Sequence, residues 1–593
     1  MKWIAKISVL SLFLLSTTIS AQNHLPPVSA WKGKSLKLQR SKNDAWACPF
    51  EKSDGLQSAT YDEMLLFFRQ LIRSGAPIHE EMLCITASGV YVPVYYFSKE
   101  WPINPNKPLM LAQGGIHAGE IDGMDAGMML FRDMAFGHLN DLSEDVAIAF
   151  VPVLNIEGFL NQSETHRINQ RGPKLQGWRS NSLNLNLNRD YVKADSPEIR
   201  GMVALIDKLN PDVYLDIHVT DGADYQYDIT YGFTEKSVYS PAISTWLQTT
   251  LRKAVDRDLQ KMGHIPGNLV FLRDEARPEA GNMQTYMSPR FSNAYADVRH
   301  TPGILVENHS LKPFSQRVLG TRVFLESVLR ILVNEKQSLR AAVKADATAI
   351  PKQCVLTWAE PEPTDSVAFL AVKSLSKNST AAGGKVTTWN AEPYICTVPI
   401  WKNKGPEISV NIPAAYAIPA NRKEIIERMK AHGIKCSVLR NDSLVNADVY
   451  SFDEVSYAGK MPYQGHMRLL AKNIAVRTEK RTIPKGSIIV STSQPLAHLL
   501  CFMLEPASPE SFFQWGFLPD IAELTEYFES YAMAPLADKM MEERPDLKKE
   551  FESKCAADAT FNADVEARLR WWYMHSDYAD KRYLEYPIYR LTP

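Results

Sequence analysis

The sequence predicts an α/β fold over residues 56–340, with a mixed, largely parallel sheet flanked by helices. A mixed β-rich and α-helical C-terminal region is expected over residues 345–593. In the first part, short apolar, β-rich runs alternate with segments of helical periodicity, which is typical of an α/β domain. Two of these runs are apolar at consecutive positions, as expected of strands buried on both faces. After residue 345 the alternation of strands and helices gives way to short strand-like segments.

The predicted elements of the first part follow one another in a regular order. Helical periodicity begins at residue 59 and stops at Gly75, and alternation between apolar and polar residues predicts a strand at 89–99. Apolar runs predict further strands at 108–112, 145–155, 211–219 and 302–308. Helical patterns predict helices at 122–135, 196–210, 241–263 and 316–340.

The C-terminal region reads as short β-like segments followed by mixed elements. The segments are CVLTWAE, VAFLAV, KVTTWN, ICTVPIW and ISVNIP. A helix and then a strand are predicted at 421–440, and a strand and then a helix at 484–506. The sequence does not indicate a function for this region.

The first 21 residues predict a signal peptide. Two lysines precede an apolar segment from Ile7 to Ile19, and Ala21 ends a small-residue cleavage site. The apolar segment is shorter than the roughly 20 residues that span a bilayer, although a buried strand or an anchor helix is an alternative. We therefore expect cleavage after Ala21, export to the periplasm or the medium, and no membrane span in the mature chain. Residues 22–55 are polar and irregular, and they predict an N-terminal lead-in.

Charge and cysteine content narrow the classes of partner and site. Lys and Arg number 66 against 67 Asp and Glu, a net charge of -1, so no nucleic-acid partner is expected. The seven cysteines form no C-x-x-C pair, which disfavours a thiolate zinc site. The oligomeric state stays open.

Three predicted strands end in residues that can bind a metal. His117 and Glu120 follow the first apolar run after the Gly-Gly pair of QGGIHAGE. His218 and Glu307 stand at the ends of two later runs. Because ligands of α/β sheets bind beyond the carboxyl ends of strands, we expect these side chains to meet. Two His and one Glu leave a fourth zinc position open, the pattern of a catalytic site.

The fourth of these residues, Glu307, has a different predicted role. A carboxylate beside the metal can take a proton from water and pass it to a leaving amine, so Glu307 is the candidate general base. The alternative for Glu307 is a strand-end carboxylate paired with Arg or Lys. The alternative for His218 is a core histidine bonded to the backbone.

Asn188 and Arg189 form a second candidate site in NSLNLNLNRDY. An arginine presented with an asparagine beside a metal can clamp a carboxylate through two parallel hydrogen bonds. The alternative is a surface arginine in a polar loop.

Five motifs in order resemble the zinc carboxypeptidase family, the carboxypeptidase A-like metallopeptidases. They are GGIHAGE, PVLNIEGF, NLNRDY, LDIHVTDG and ILVENHS, and they cover roughly residues 56–340. The chain is similar to an exported, bacterial-type member with a large C-terminal extension. It departs from the family pattern where NIEG replaces N-P-D-G, and no obvious Asp or Arg marks a pocket for the terminal side chain.

The resemblance implies a role for each site residue. His117, Glu120 and His218 would bind one Zn²⁺ per chain, and Glu307 would be the general base and acid. Further residues would bind the substrate. Asn188 and Arg189 would grip its terminal carboxylate, Arg167 would polarise the carbonyl with Arg171 and then Arg179 as alternatives, and Tyr286 would close over it, with Tyr295 as a competitor.

The expected function is a zinc-dependent carboxypeptidase that hydrolyses C-terminal peptide bonds. An amidase that acts on cell-wall peptides or N-acyl amino acids is the alternative within the same fold. A catalytically silent peptide- or glycan-binding module would lack a ligand or the base, and none is missing. The sequence contains neither a G-x-S-x-G nor an H-E-x-x-H motif, which disfavours a nucleophilic hydrolase and a thermolysin-like peptidase.

Overall fold

The structure is a computed structural model that describes residues 24–137 and 139–592. The predicted signal peptide and its cleavage site lie outside the described residues, so export stays a prediction. No helix within the described ranges combines the length and the apolar character that crossing a membrane would need.

An eight-stranded mixed sheet forms the centre of the first part. Its strands are β1 (Ile78–Ile85), β2 (Tyr91–Phe97), β3 (Leu109–Gly114), β4 (Ala147–Val151), β5 (Val213–Val219), β6 (Ile229–Gly232), β7 (Pro266–Asn268) and β9 (Gly303–Asn308). The short strand β8 (Asn282–Met283) precedes β9 in the chain and belongs to a different sheet. The spatial order is β1-β2-β4-β3-β5-β9-β6-β7. The four central strands β4, β3, β5 and β9 run parallel, and β3, β4 and β5 are buried at every position. The predicted fold class is confirmed.

Helices cover this sheet. They are α1 (Pro49–Lys52), α2 (Tyr61–Arg73), α3 (Asp122–Ala135), α4 (Asn140–Ser143), α5 (Ile156–Leu160), α6 (Pro197–Leu209), α7 (Pro241–Trp246), α8 (Arg252–Met262), α9 (Ser292–Val298) and α10 (Phe314–Thr348). Short 3₁₀ turns occur at Lys34–Leu38, Leu187–Arg189 and Pro278–Ala280, and a π-helical turn at Leu247–Leu251 joins α7 to α8. The start of α2 is fixed by a capping box between Thr60 and Glu63.

Several short elements, one edge strand and one helix end differ from the expectation. The sequence pattern missed β1, which is a half-exposed edge strand without an apolar run. It also missed elements of two to seven residues, which are too short to show a period: β6, β7, β8, α1, α4, α5 and α9. The last helix, α10, continues to Thr348 rather than ending at residue 340. It therefore leads directly into the C-terminal region, with no flexible break at the predicted boundary.

The C-terminal region is β-rich at first and helical at its end. Its strands are β10 (Gln353–Trp358), β11 (Pro361–Ser379), β12 (Gly384–Asn403), β13 (Pro406–Asn411), β14 (Ala415–Ile418), β15 (Ser437–Val438), β16 (Ser443–Tyr457), β17 (Leu469–Ile483), β18 (Ile488–Ser491) and β19 (Tyr589–Leu591). Its helices are α11 (Lys423–Ala431), α12 (Ala497–Leu504), α13 (Ser530–Glu543), α14 (Pro545–Ala557), α15 (Ala559–Ala563) and α16 (Val565–Met574), with a 3₁₀ turn at Pro519–Ala522. The hairpins β11/β12 and β16/β17 are long two-stranded ribbons.

The two parts of the chain share one continuous apolar core. Strand β8 of the first part pairs in parallel with β12, and the ring of Tyr239 packs against that of Phe502. The predicted lead-in also joins the core, since Phe50 is buried and Glu51 forms a buried ion pair with Arg132. The C-terminal region is thus packed against the sheet domain rather than attached by a linker, and all seven cysteines are free.

Candidate active site

The sheet brings the three predicted strand ends together. Strands β3, β5 and β9 are neighbours and parallel, so their carboxyl ends lie on one edge. His218 on β5 and Glu307 on β9 are direct register partners. His117 and Glu120 lie in the turn between β3 and α3, which begins at Gly115 with a left-handed φ of +58°.

His117, Glu120 and His218 form a compact buried cluster. Their potential ligand atoms all lie within 4.8 Å of one another. His117 Nδ1 is 3.1 Å from both carboxylate oxygens of Glu120, and His218 Nδ1 is 3.0 Å from Glu120 Oε2. Two imidazole nitrogens and a carboxylate are the donor set that zinc takes in catalytic sites, so the residues fit the metal.

The electrostatics of the cluster also suit a cation. Burial works to raise the pKa of Glu120, but His117 and Arg167 outweigh it and hold that pKa well below its ordinary value. Burial likewise works to lower the pKa of His218, but the carboxylates of Asp216 and Glu120 raise it well above its ordinary value. Since a ligating histidine must be neutral, a metal ion would replace this proton as the positive charge among the carboxylates.

Each histidine of the cluster is oriented by a hydrogen bond at its other ring nitrogen. His218 Nε2 lies 2.7 Å from Asp216 Oδ2, and His117 Nε2 lies 3.0 Å from Asn186 Oδ1. Such partners fix the ring orientation of metal-binding histidines. The sequence analysis missed both, although Asp216 stands two residues before His218 and therefore on the same face of the strand.

Glu307 has a carboxylate oxygen without a partner. Within the described residues its Oε2 is buried and accepts no hydrogen bond. Burial raises the pKa of Glu307 to about 8, with Glu120 and Asp216 acting in the same direction and His218 against them. Among the described residues no Arg or Lys pairs with Glu307, so the alternative of an ion-paired strand-end carboxylate does not hold there.

The structure separates the three candidate arginines. Arg167 Nη2 lies 3.0 Å from Glu120 Oε1, and Arg179 Nη1 donates to the same oxygen at 3.2 Å. Arg171 does not join them, because its guanidinium donates to the carbonyls of Leu311 and Pro26. The geometry corrects the second choice: Arg179, not Arg171, is the neighbour of Arg167 at the cluster.

Asn188 and Arg189 lie in a 3₁₀ turn beside His218 of the cluster. Asn188 Nδ2 is 3.4 Å from His218 Nε2, and its Oδ1 accepts the backbone N–H of Ser292 at 3.0 Å. The guanidinium of Arg189 lies over the ring of Phe291 at 4.3 Å, and its Nη1 donates to the Asn188 carbonyl at 2.7 Å. Both predicted carboxylate-binding residues are therefore part of the site.

Neither candidate tyrosine contacts the cluster. Tyr286 stacks on Trp358 at 3.7 Å and donates to the Lys236 carbonyl at 2.9 Å. It lines a cavity of about 490 Å³ that Phe291 also lines. The hydroxyl of Tyr295 is 2.6 Å from His432 Nδ1 of the C-terminal region, which removes Tyr295 from the site. The geometry does not support a role for Tyr286 over the substrate in this conformation.

The family of this site follows from comparison with known sequences. Residues 81–296 match the model of the zinc carboxypeptidases. This domain belongs to the zinc carboxypeptidase family. The carboxypeptidase domain contains His117, Glu120 and His218 in the matched range, and Glu307 lies just beyond it.

Relatives with longer matches also carry the name carboxypeptidase. The carboxypeptidase 2 of Trichophyton rubrum is 23% identical over 503 residues, which are 79% of this chain and 86% of that protein. The carboxypeptidase 2 of Trichophyton tonsurans is 22% identical over 505 residues, with the same shares of 79% and 86%. Both matches cover more of the chain than the carboxypeptidase domain alone.

Solved structures give weaker matches. A putative carboxypeptidase A from Shewanella denitrificans OS-217 is 16% identical, with a TM-score of 0.36 over 46% of this chain and 69% of that one. The carboxypeptidase A of Helicoverpa armigera is 17% identical, with a TM-score of 0.34 over 48% of this chain and 74% of that one. The family match over residues 81–296, rather than these superpositions, supports a zinc carboxypeptidase hydrolase.

Proposed function

We propose that His117, Glu120 and His218 hold the zinc ion and that Glu307 is the general base in the hydrolysis of a C-terminal peptide bond. The observation that carries this proposal is the unpartnered, buried Oε2 of Glu307 on the strand next to His218. A buried carboxylate oxygen without a hydrogen bond is costly, so its retention indicates a chemical role.

The chain's own residues divide the reaction between them. Zinc, when bound, lowers the pKa of a water molecule and polarises the substrate carbonyl. Glu307 takes a proton from the attacking water and delivers it to the leaving amine. Burial raises the pKa of Glu307 to about 8, and this supports a carboxylate that keeps the proton between the two transfers. Arg167 and Arg179 stand where positive charge can stabilise the developing oxyanion.

Arg189 is the residue that would bind the terminal carboxylate and so restrict cleavage to the C-terminal bond. Its guanidinium is partly buried beside Asn188, and burial is the main cause that lowers its pKa, with the nearby Arg179 and Arg290 adding to this effect. Within the described residues Arg189 has no carboxylate partner, since its Nη1 donates to the Asn188 carbonyl. The terminal carboxylate of a peptide would supply that partner.

The substitution Glu307→Gln tests the proposal. It removes the proton carrier but no metal ligand, so we expect the variant to bind about one zinc per chain while kcat falls by about 10²–10⁴-fold. Metal analysis and the hydrolysis rate of a peptide with a free C-terminus measure the two properties separately.

Glu427→Gln on the exposed face of α11 is the matched control and should keep full activity. Normal turnover in Glu307→Gln would contradict the role of the base. Equal wild-type hydrolysis of free and C-terminally amidated peptides would contradict exopeptidase action and favour the amidase alternative.

A further inference from the structure

A hairpin of the C-terminal region contacts the segment that carries Asn188 and Arg189. Residues 458–468 connect β16 to β17 at the end of a long ribbon. Gln464 Oε1 accepts the backbone N–H of Asn186 at 2.8 Å. The two residues are 278 positions apart in the chain, so only the packing of the C-terminal region against the carboxypeptidase domain brings them together.

Asn186 connects this hairpin to the candidate zinc site. Its Oδ1 lies 3.0 Å from His117 Nε2 and accepts the backbone N–H of Asn188 at 3.0 Å. Its carbonyl accepts the backbone N–H of Arg189 at 3.0 Å. The position of this one residue therefore affects both the ring of a candidate zinc ligand and the turn that carries the carboxylate-binding pair.

The contact with Asn186 also determines which ring nitrogen of His117 carries the lone pair. Because Asn186 Oδ1 also accepts the Asn188 N–H, the amide oxygen is the atom that faces the ring. An amide oxygen only accepts hydrogen bonds, so Nε2 of His117 carries the proton. The lone pair of the neutral ring is then on Nδ1, which lies 3.1 Å from both carboxylate oxygens of Glu120. Nδ1 is therefore the nitrogen available to a metal.

The tip of the hairpin is a two-residue turn that presents Gln464. The backbone N–H of Tyr463 donates to the His466 carbonyl at 2.8 Å, and the His466 N–H donates to the Tyr463 carbonyl at 3.1 Å. The residues between them, Gln464 and Gly465, have left-handed φ values of +50° and +81°. Asn, Asp and Gly are favoured at the first of these positions. The turn itself thus does not explain a glutamine, whereas the contact of its longer side chain with Asn186 does.

Two further contacts fix the hairpin on the carboxypeptidase domain. An added Cβ at Gly465 would lie 3.2 Å from Leu185 Cδ2, so the tip packs directly against this segment. His466 Nε2 lies 2.7 Å from Asp195 Oδ2. The side chain of Gln464 is therefore presented from a fixed support.

We propose that Gln464 is a positioning residue of the carboxypeptidase: it fixes Asn186, which in turn orients the His117 ring. This inference rests on the proposed role of His117 as a zinc ligand. The hydrogen bond from Gln464 holds the main chain from which the Asn186 side chain projects, and the partners of a ligating histidine influence metal affinity. The C-terminal region thereby contributes to the zinc site without supplying a ligand.

The substitution Gln464→Gly tests the inference, because glycine suits the left-handed turn and the contact with Asn186 is lost. We expect zinc affinity, measured by competition with a chelator, to fall about 3–10-fold, less than the loss for a direct partner of the histidine because Gln464 acts one residue further away. Thermal unfolding of the metal-free protein should change little. Gln464→Glu keeps an acceptor oxygen on a side chain of the same length and should retain at least the wild-type affinity.

Asn473→Gly is the matched control on the same ribbon. Asn473 is exposed on β17 and has the same left-handed φ of +50° as Gln464. Its side chain donates to Asp453 of β16 at 2.8 Å, a contact within the ribbon. The exchange for glycine should therefore leave zinc affinity unchanged.

A double-mutant cycle separates positioning from a general effect of the hairpin on the fold. Asn186→Ala removes the side chain that contacts His117 but keeps the backbone N–H that Gln464 binds. Adding Gln464→Gly to Asn186→Ala should then cause no further loss of zinc affinity. A full second loss, or an unchanged affinity in Gln464→Gly alone, would overturn the inference. Wild-type zinc affinity in His117→Ala would instead overturn the proposed ligand set, and this inference with it.

Discussion

Asp216 orients His218, a candidate metal ligand, without being a candidate ligand itself. Its Oδ2 lies 2.7 Å from His218 Nε2, and its carboxylate accepts hydrogen bonds from Gln113 at 2.8 Å and Ser292 at 2.5 Å. Burial works to raise the pKa of Asp216, but His218 and the hydrogen bonds outweigh it and keep the pKa below the ordinary value. The carboxylate is therefore charged, and it turns Nδ1 of His218 towards Glu120.

At the residue scale we predict that Asp216→Asn weakens zinc binding about 10–100-fold, because removing such a partner loosens the orientation and the basicity of the ligand. Competition with a zinc chelator measures the affinity. Asp538→Asn, an exposed carboxylate on α13, should leave it unchanged. The same zinc affinity in both variants would show that the hydrogen bond to His218 has no influence on the metal.

The turn between β3 and α3 is the element that aims His117 and Glu120. Gly115 has a φ of +58°, a conformation that L side chains rarely adopt, and an added Cβ would lie 2.8 Å from Val153 Cγ1. Gly114 packs equally closely, with its added Cβ 2.7 Å from the Pro152 carbonyl oxygen. The pair of glycines thus lets the chain leave β3 closely packed against residues 152–153 and turn towards β5.

At the element scale we predict that Gly115→Ala lowers both stability and zinc affinity. The left-handed backbone alone costs a non-glycine residue about 1–2 kcal/mol, and the contact with Val153 forces the turn to shift. Gly89→Ala is the matched control, since Gly89 has a φ of +82° with nothing within 4 Å of an added Cβ. Thermal unfolding should show a loss in both variants and zinc titration a loss only in Gly115→Ala; equal zinc affinity would refute this reading of the turn.

At the scale of the whole molecule, the carboxypeptidase domain and the C-terminal region are packed against each other. His432, at the end of α11, is fully buried between them. Its Nε2 lies 3.0 Å from the Val192 carbonyl, which can only accept and so places a proton on Nε2. Its Nδ1 lies 2.6 Å from the Tyr295 hydroxyl, from which a neutral ring accepts a hydrogen bond. Burial lowers the pKa of His432 to about 3, and the nearby Arg299 contributes.

At the scale of the molecule we predict that this histidine makes folding sensitive to acid. Between about pH 6.5 and pH 3 the unfolded chain binds a proton on His432 that the folded chain excludes, so its stabilising contribution is complete above pH 6.5 and is lost as the pH falls. The stability difference between the wild type and His432→Gln should therefore shrink by about 2–3 kcal/mol from pH 7 to pH 4.5. Denaturant unfolding at both pH values measures it, and a constant difference would contradict a neutral buried ring.

The sequence by itself predicted the central strands and most of the surrounding helices, because strands buried on both faces carry continuous apolar runs. It did not predict β1, which is a half-exposed edge strand, or β6, which has only four residues. It also did not predict that β11, β12, β16 and β17 are long ribbons, since their exposed positions carry mixed residues without a clear period. A local apolar pattern indicates burial, and most positions of these ribbons are not buried.

For the site, the sequence alone singled out His117, Glu120, His218, Glu307, Asn188 and Arg189 as candidates, because each stands at a fixed offset from a recognisable strand end or motif. The tertiary structure decided which groups surround them. Asp216 and Asn186 orient the histidines, and Arg179 stands beside Arg167. Gln464 reaches Asn186 from a hairpin 278 residues further along the chain. Such contacts depend on how distant segments pack, and no local spacing in the sequence records them.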